Sequence, residues 1–213
     1  MPFRPKINSK IKISQRAYTF TEHPAAKGMP YGQTGRRATV YQLQDNAGTN
    51  HALKVFTRAF RSPRYEETAN KLAKFSQLSG LQACSRQVFT AQNQASLLSK
   101  YPDLQYSLLM PWVEGQTWQE ILLSSQPVSK NHSLKIASAF ISLLQEMENR
   151  QIAHCDLAGP NLLIHTQNGS TNLALVDVED LYAPTLLKPE KLPAGSAGYA
   201  HKEASKGLWQ VEA

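Results

Sequence analysis

The sequence is poor in several things at once. Only two cysteines, Cys84 and Cys155, occur in 213 residues. Two thiols cannot build a disulfide framework or a four-cysteine zinc site, so the fold must rest on packing. No apolar run reaches the ~20 residues that a membrane-spanning helix requires. The first residues, MPFRPKINSKIKIS, are basic but contain no apolar stretch of the kind a secretory signal needs. A reducing, cytoplasmic location is therefore expected. Charged residues make up only 18% of the chain, while hydrophobic residues make up 41%. That balance supports a core and excludes disorder throughout. There are no internal repeats and no low-complexity tract.

What charge there is leans one way. Lys and Arg number 23 against 16 Asp and Glu, a formal net charge of +7. Such a chain favours anionic partners, with nucleotide phosphates, nucleic acid and acidic proteins all eligible. A nucleic-acid stacking platform would want aromatics among the basic residues. Near the basic N-terminus only Phe3 and Tyr18 qualify, which argues against nucleic acid.

Residues 1–17 are basic and polar and are expected to pack loosely. YTFTEH alternates like a strand, and TVYQLQ–DNAGTN–HALKVF reads as a hairpin with a longer loop. Arg61 to Gln77 is a helix candidate, with Tyr65, Ala69, Leu72 and Ala73 on one side and Ser62-Pro63 as its start signal. Residues 85–92 and 105–113 are strand-like, and Trp118 to Ser125 reads as a short helix. His132 to Arg150 carries the clearest helical stripe, with Ile136, Phe140, Leu143, Leu144 and Met147 expected on its buried face. NLLIH and LALVDV then form a second hairpin across TQNGSTN. The order predicts an α+β chain in two lobes joined near Pro111–Gly115. Residues 1–17 form a basic leading segment, 18–110 a small lobe and 111–213 part of a large lobe.

Four polar residues interrupt or follow apolar runs. Lys54 lies inside HALKVF, where a buried ammonium requires an anion or carboxylate. Asp156 and Asn161 lie in HCDLAGPNLLI, and Asp177 ends LALVD. Carboxylate and amide oxygens suit Mg²⁺, and a carboxylate can also accept a hydroxyl proton. Each residue has a plainer reading when taken singly. Lys54 would be an edge lysine with its ammonium in water. Asp156 would be a turn residue, Asn161 a turn cap and Asp177 the cap of a strand end. His154 reads as a structural residue and Cys155 as a small core residue.

In order, these segments resemble the protein kinase family, and within it the bacterial serine/threonine kinase-like group. HALKVF is similar to the strand bearing the phosphate-binding lysine, and MPWVEG to the hinge. HCDLAGPNLLI is similar to the H-R-D-x-x-x-x-N catalytic loop. LVDVE stands where D-F-G stands, and GSAGYAHKE resembles the G-T-x-x-Y-x-A-P-E end of the activation segment. The resemblance spans Gly28 to Glu203. It implies a two-lobed kinase-like fold and an ATP- and Mg²⁺-dependent phosphotransferase acting on a protein or small-molecule hydroxyl. Lys54 would then hold the ATP phosphates, Asp156 would accept the hydroxyl proton, and Asn161 and Asp177 would bind Mg²⁺. Ala52 and Leu163 would cover the adenine, Met110 would stand behind it, and the backbone around Pro111, Trp112 and Val113 would bond its edge. Val40 and Gly35 would belong to the phosphate loop. Glu66, rather than Glu67, would pair with Lys54.

The sequence also departs from the family pattern. Of the loop glycines only Gly35 is in register. Cys155 replaces the arginine of H-R-D, and Ala158 replaces a lysine two places after the aspartate. D-F-G is Asp177-Val178-Glu179, and A-P-E is His201-Lys202-Glu203. The resemblance further implies helices beyond Ala213, so a fragment or a shortened chain is expected. A pseudokinase or nucleotide-binding regulatory module is the alternative these departures favour.

Overall fold

The computed structural model describes residues 3–186, 188, 189, 195, 196, 198–200 and 209. The chain divides into two compact units, Met1–Asn70 with Ser85–Trp112, and Lys71–Cys84 with Val113–Ala213.

The first unit is built on antiparallel strands. β1 (Lys10–Ile13), β2 (Arg16–Phe20), β5 (Gly32–Thr34), β6 (Ala38–Asp45), β7 (Asn50–Phe56), β8 (Gln87–Val88) and β9 (Leu108–Pro111) form one sheet. Its order is β1-β2-β6-β7-β9-β8, with β5 also paired to β6. β3 (Glu22–His23) and β4 (Ala26–Pro30) make a separate ribbon. TVYQLQ and HALKVF pair as the expected hairpin of β6 and β7, and Asp45 Oδ1 accepts from the Ala47 and Thr49 amides within its loop.

The basic leading segment does not pack loosely. In the strand Lys-Ile-Lys-Ile both lysines face water, while Ile11 and Ile13 are buried. β1 turns into β2 through Ser14 and Gln15 alone, both at positive φ (46° and 68°). Two such residues give the twist a tight hairpin needs, although Asn-Gly is the usual solution. Ser14 is held in place from outside. Its Oγ accepts from Gln94 Nε2 at 2.6 Å and from Gln87 Nε2 at 2.7 Å. Gln94, only 6% exposed, lies in α2 (Ala91–Lys100).

The helix expected over 61–77 is shorter. α1 covers Arg64–Leu72 and tightens into a 3₁₀ turn over Ala73–Gln77, which turns Ala73 out to solvent. Ala69 and Leu72 are buried as expected, and the Tyr65 ring stacks on Phe56 at 4.5 Å.

In the second unit α3 (Trp118–Leu123) starts at a reciprocal cap. The Glu120 amide donates to Thr117 Oγ1, and the Thr117 amide donates to Glu120 Oε2. α4 (Lys130–Asn149) begins at Ser129, whose Oγ accepts from the His132 amide. β10 (Gln116–Thr117), β11 (Leu162–Gln167) and β12 (Ser170–Leu175) form a sheet in that order. The second hairpin closes more tightly than TQNGSTN suggested, because Gln167 pairs with Ser170 around Asn168-Gly169 alone. Ile136, Leu143 and Met147 of α4 enter one core with Leu81, Leu173, Leu175 and Val178. Leu144, expected on that buried face, is 37% exposed. Among the described residues no helix is long and apolar enough to cross a membrane.

Candidate active site

The register of the first sheet decides which side chains share a surface. Lys54 on β7 stands opposite Val40 on β6 and Leu108 on β9. Ala52, two residues earlier, stands opposite Met110. Side chains at spacing two share a face, and so do directly opposed residues. Val40, Ala52, Lys54 and Met110 therefore lie on one face of the sheet. The same face carries Ala38, Phe56 and Leu108, which pack with Ala69 of α1. Lys54 is 3% exposed, and its Nζ lies 5.4 Å from the centre of the Phe56 ring.

Gly35 occupies the exposed turn between β5 and β6, where its amide donates to the Ala38 carbonyl. Glu66 and Glu67 are both exposed on α1. Trp112 is half-buried against Tyr31, with ring centres 5.1 Å apart. Its amide donates to the Asn50 carbonyl at 3.3 Å, so that group is engaged within the first unit.

The second unit gathers the remaining polar residues around the base of a hairpin. Leu162 pairs with Leu175, so Asn161 and Val176 are the next residues out on the two strands. The Val176 amide donates to the Asn161 carbonyl at 3.0 Å, which brings Asp177 to the same end of the hairpin. Asn161, 7% exposed, donates its side-chain Nδ2 to the Asp156 carbonyl at 2.8 Å. A carbonyl only accepts, so this bond fixes the amide orientation and leaves Asn161 Oδ1 as an oxygen donor. Asp177 adopts a left-handed backbone (φ 60°, ψ 40°) and is exposed at the head of the turn Val178–Asp180. Leu163, half-buried, pairs with Ala174 and Thr117, and Val113 is half-buried where the second unit resumes. Asp156, Asn161 and Asp177 thus come together in one unit, while Lys54, Val40, Ala52 and Met110 come together in the other.

Two contacts were not anticipated. His154 is buried and donates from Nε2 to the Val176 carbonyl at 2.7 Å, tying the loop of Asp156 to the end of β12. Its position directly before Cys155-Asp156 was the available signal. Ser196 Oγ reaches Asp156 Oδ1 at 3.4 Å. Ser196 stands at the threonine place of the G-T-x-x-Y motif, and that hydroxyl was the clue. The Glu203 end of the same motif lies outside the described residues.

Cys155 has a left-handed φ of 63° and is half-buried. Burial pushes its thiol up to about 11, and the nearby Asp180 and Asp156 carboxylates add to the effect. A backbone hydrogen bond involving Tyr182 opposes it. This is an inert thiol rather than a nucleophile.

Among the described residues no three His, Cys, Asp or Glu side chains are gathered to hold a metal. Mg²⁺ does not need such a cage. It commonly takes one or two carboxylates and completes its shell with water and phosphate oxygens. Asn161 and Asp177, at one end of the hairpin, carry the oxygen types that this pattern uses.

No protein-family model matches the chain, and no curated protein matches it. Among solved structures the chain is similar to that of vaccinia related kinase 3, with a TM-score of 0.52 and 15% identity. The match covers 85% of this chain and 53% of the kinase, so the chain spans about half the length of that protein. At this identity the likeness concerns the fold, which is protein kinase-like.

Proposed function

We propose that the protein is an ATP- and Mg²⁺-dependent phosphotransferase of the protein kinase type, acting on a hydroxyl of a protein or small molecule. The observation that carries this reading is the Asn161 amide bonded to the Asp156 carbonyl, with Asp177 at the same hairpin end. That arrangement sets two oxygen-bearing side chains at one hairpin end and holds the Asp156 loop closed. Bound Mg²⁺ would neutralise phosphate charge, with Asn161 and Asp177 as its protein ligands. Asp156 would orient the acceptor hydroxyl and take its proton. Lys54 would bind phosphate oxygens, with Glu66 as its carboxylate partner. Ala52, Met110 and Leu163 would contact the adenine, Val113 and Trp112 its edge, and Val40 and Gly35 would belong to the loop over the phosphates. The free state of Cys84 and Cys155 supports a reducing, cytoplasmic setting.

A second reading has an observation of its own. The family's D-F-G glycine is replaced, and Val178 in that segment is fully buried in the core of the second unit. A segment so anchored suits a nucleotide-binding regulatory module that does not transfer phosphate. Titration with ATP and Mg²⁺ followed by thermal denaturation, alongside transfer of γ-phosphate from labelled ATP, separates the two. Stabilisation with transfer supports the enzyme, and stabilisation without transfer supports the module. No stabilisation at any ATP concentration overturns both.

A further inference from the structure

A buried ammonium and two aromatic rings meet inside the first unit. Lys54 and Phe56 are two residues apart on β7 and share the face described above. Both are buried, and Lys54 Nζ lies over the Phe56 ring, 5.4 Å from its centre. That is within reach of a cation–π attraction, which strengthens where water is excluded. A second ring comes from α1. Tyr65 stacks on Phe56 with ring centres 4.5 Å apart and planes 21° from parallel.

Both rings are held in place. Tyr65 and Ala69, four residues apart, share the α1 face that packs on the sheet. The Tyr65 hydroxyl donates to the Phe60 carbonyl at 2.9 Å, which fixes the far end of its ring. The Phe56 carbonyl accepts from Arg61 Nε at 3.3 Å, and Arg61 pairs in turn with Asp103 at 2.8 Å. A lysine head sits on a flexible four-carbon stem, so its place is set by what surrounds it. Glu66 and Glu67, the acids of α1, are exposed, whereas Tyr65 is the half-buried α1 residue that reaches the ring beside Lys54.

We propose that Phe56 and Tyr65 are positioning residues for Lys54. The stacked rings hold the ammonium where it meets nucleotide phosphate, and they link it to α1 through π contacts, alongside any carboxylate. This rests on the reading of Lys54 as the phosphate-binding group. The benefit is preorganisation, because an ammonium already in place loses less freedom when a ligand arrives.

Calorimetric titration of the whole chain with Mg²⁺-ATP, and with adenosine, which carries no phosphate, tests this. Mono-, di- and trifluorinated phenylalanine in place of Phe56 keep nearly the same shape and withdraw charge from the ring face step by step. ATP affinity should fall with each fluorine, by roughly threefold to tenfold for the trifluorinated ring, while adenosine affinity holds. Tyr65→Leu should weaken ATP binding in the same way, and Tyr65→Phe, which keeps the ring, should not. Circular dichroism confirms the fold of each variant. Lys54→Met separates the positioning role from the reading beneath it. If the wild type binds no ATP, or Lys54→Met leaves ATP affinity unchanged, Lys54 is not a phosphate ligand and both fall. If Lys54→Met weakens ATP binding and fluorination does not, the positioning role alone is overturned. A rise in ATP affinity on fluorination would overturn it too, because the ring would then compete with phosphate for the ammonium.

Discussion

The side-chain amide of Asn161 donates to the backbone carbonyl of Asp156 at 2.8 Å, so the two residues are bound through one side chain and one main chain. The bond spans five residues and closes the loop that presents the Asp156 carboxylate. Its geometry gives Asn161 two duties on two atoms. Nδ2 is spent on the loop, and Oδ1 is the atom that the proposed Mg²⁺ would use.

Asn161→Asp separates those duties. The substitution keeps an oxygen for Mg²⁺ but removes the donor and sets a carboxylate against the Asp156 carbonyl. Because Asn161 is buried, the carbonyl has little water to turn to. A loss of about 1–3 kcal/mol is expected from urea denaturation of the metal-free protein. Unchanged stability would show that the bond does not hold the loop.

Asp177→Asn tests the cation. Asp177 is exposed, so its loss should cost little fold stability. Thermal stabilisation by ATP should fall in the presence of Mg²⁺ and hold in its absence. Equal changes with and without Mg²⁺ would remove Asp177 from the metal site.

Two glycines should respond differently to alanine. Gly80 has a φ of +82°, and a Cβ there would lie 2.8 Å from Leu143 Cδ1 and 2.9 Å from the Leu173 carbonyl oxygen. Gly80→Ala should therefore destabilise the protein by more than ~1 kcal/mol. At Gly35 a Cβ meets only the Ala38 carbonyl oxygen, at 3.7 Å. Gly35→Ala should leave the melting temperature almost unchanged. If this turn approaches nucleotide phosphates, Gly35→Ala should still lower ATP affinity.

Much of this was legible where the signal is local. The β-branched and aromatic run TVYQLQ, the apolar run HALKVF and the turn residues DNAGTN between them gave the β6–β7 hairpin, and the stripe Ile136–Leu143–Met147 gave α4. Other features escaped for definable reasons. The strand Lys-Ile-Lys-Ile was masked by its charge, and its Ser14-Gln15 turn lacks the usual Asn-Gly. That turn depends on Gln94, 80 residues away. α2, AQNQASLLSK, has six polar residues in ten and its two leucines adjacent, so it has little apolar period to read. The shared face of Val40, Ala52, Lys54 and Met110 depends on the pairing of β7 with β9, which no local pattern encodes. In the second unit the Asp-to-Asn spacing was visible in sequence. The bond that makes it useful became visible only in three dimensions.

Cys155 should make stability depend on alkaline pH. Its thiol is raised to about 11 from an ordinary value of 9.0, so the unfolded chain loses this proton first. The stabilisation is fully present below pH 9 and is lost as pH rises toward 11. Cys155→Ser should flatten the stability profile across that window. Alkylation of Cys155 by iodoacetamide should stay slow at neutral pH and accelerate only toward pH 11. Rapid alkylation at pH 7.5 would contradict the buried, inert thiol.

Asp156 carries the chemical part of the proposal. Its carboxylate stands on a loop fixed from three sides. Asn161 holds its carbonyl, His154 ties the preceding turn to Val176, and Ser196 reaches its Oδ1. Asp156→Asn keeps the backbone acceptor that Asn161 uses and nearly the same shape, but it removes the proton acceptor. General-base catalysis and positioning are typically worth roughly 10²–10⁴ in rate. Single-turnover transfer from labelled ATP should therefore fall at least about a hundredfold, while ATP affinity and fold stability stay near wild type. Loss of ATP affinity along with rate would make Asp156 a binding residue. Transfer that survives Asp156→Asn would move the base to another side chain and remove the catalytic-loop assignment with it.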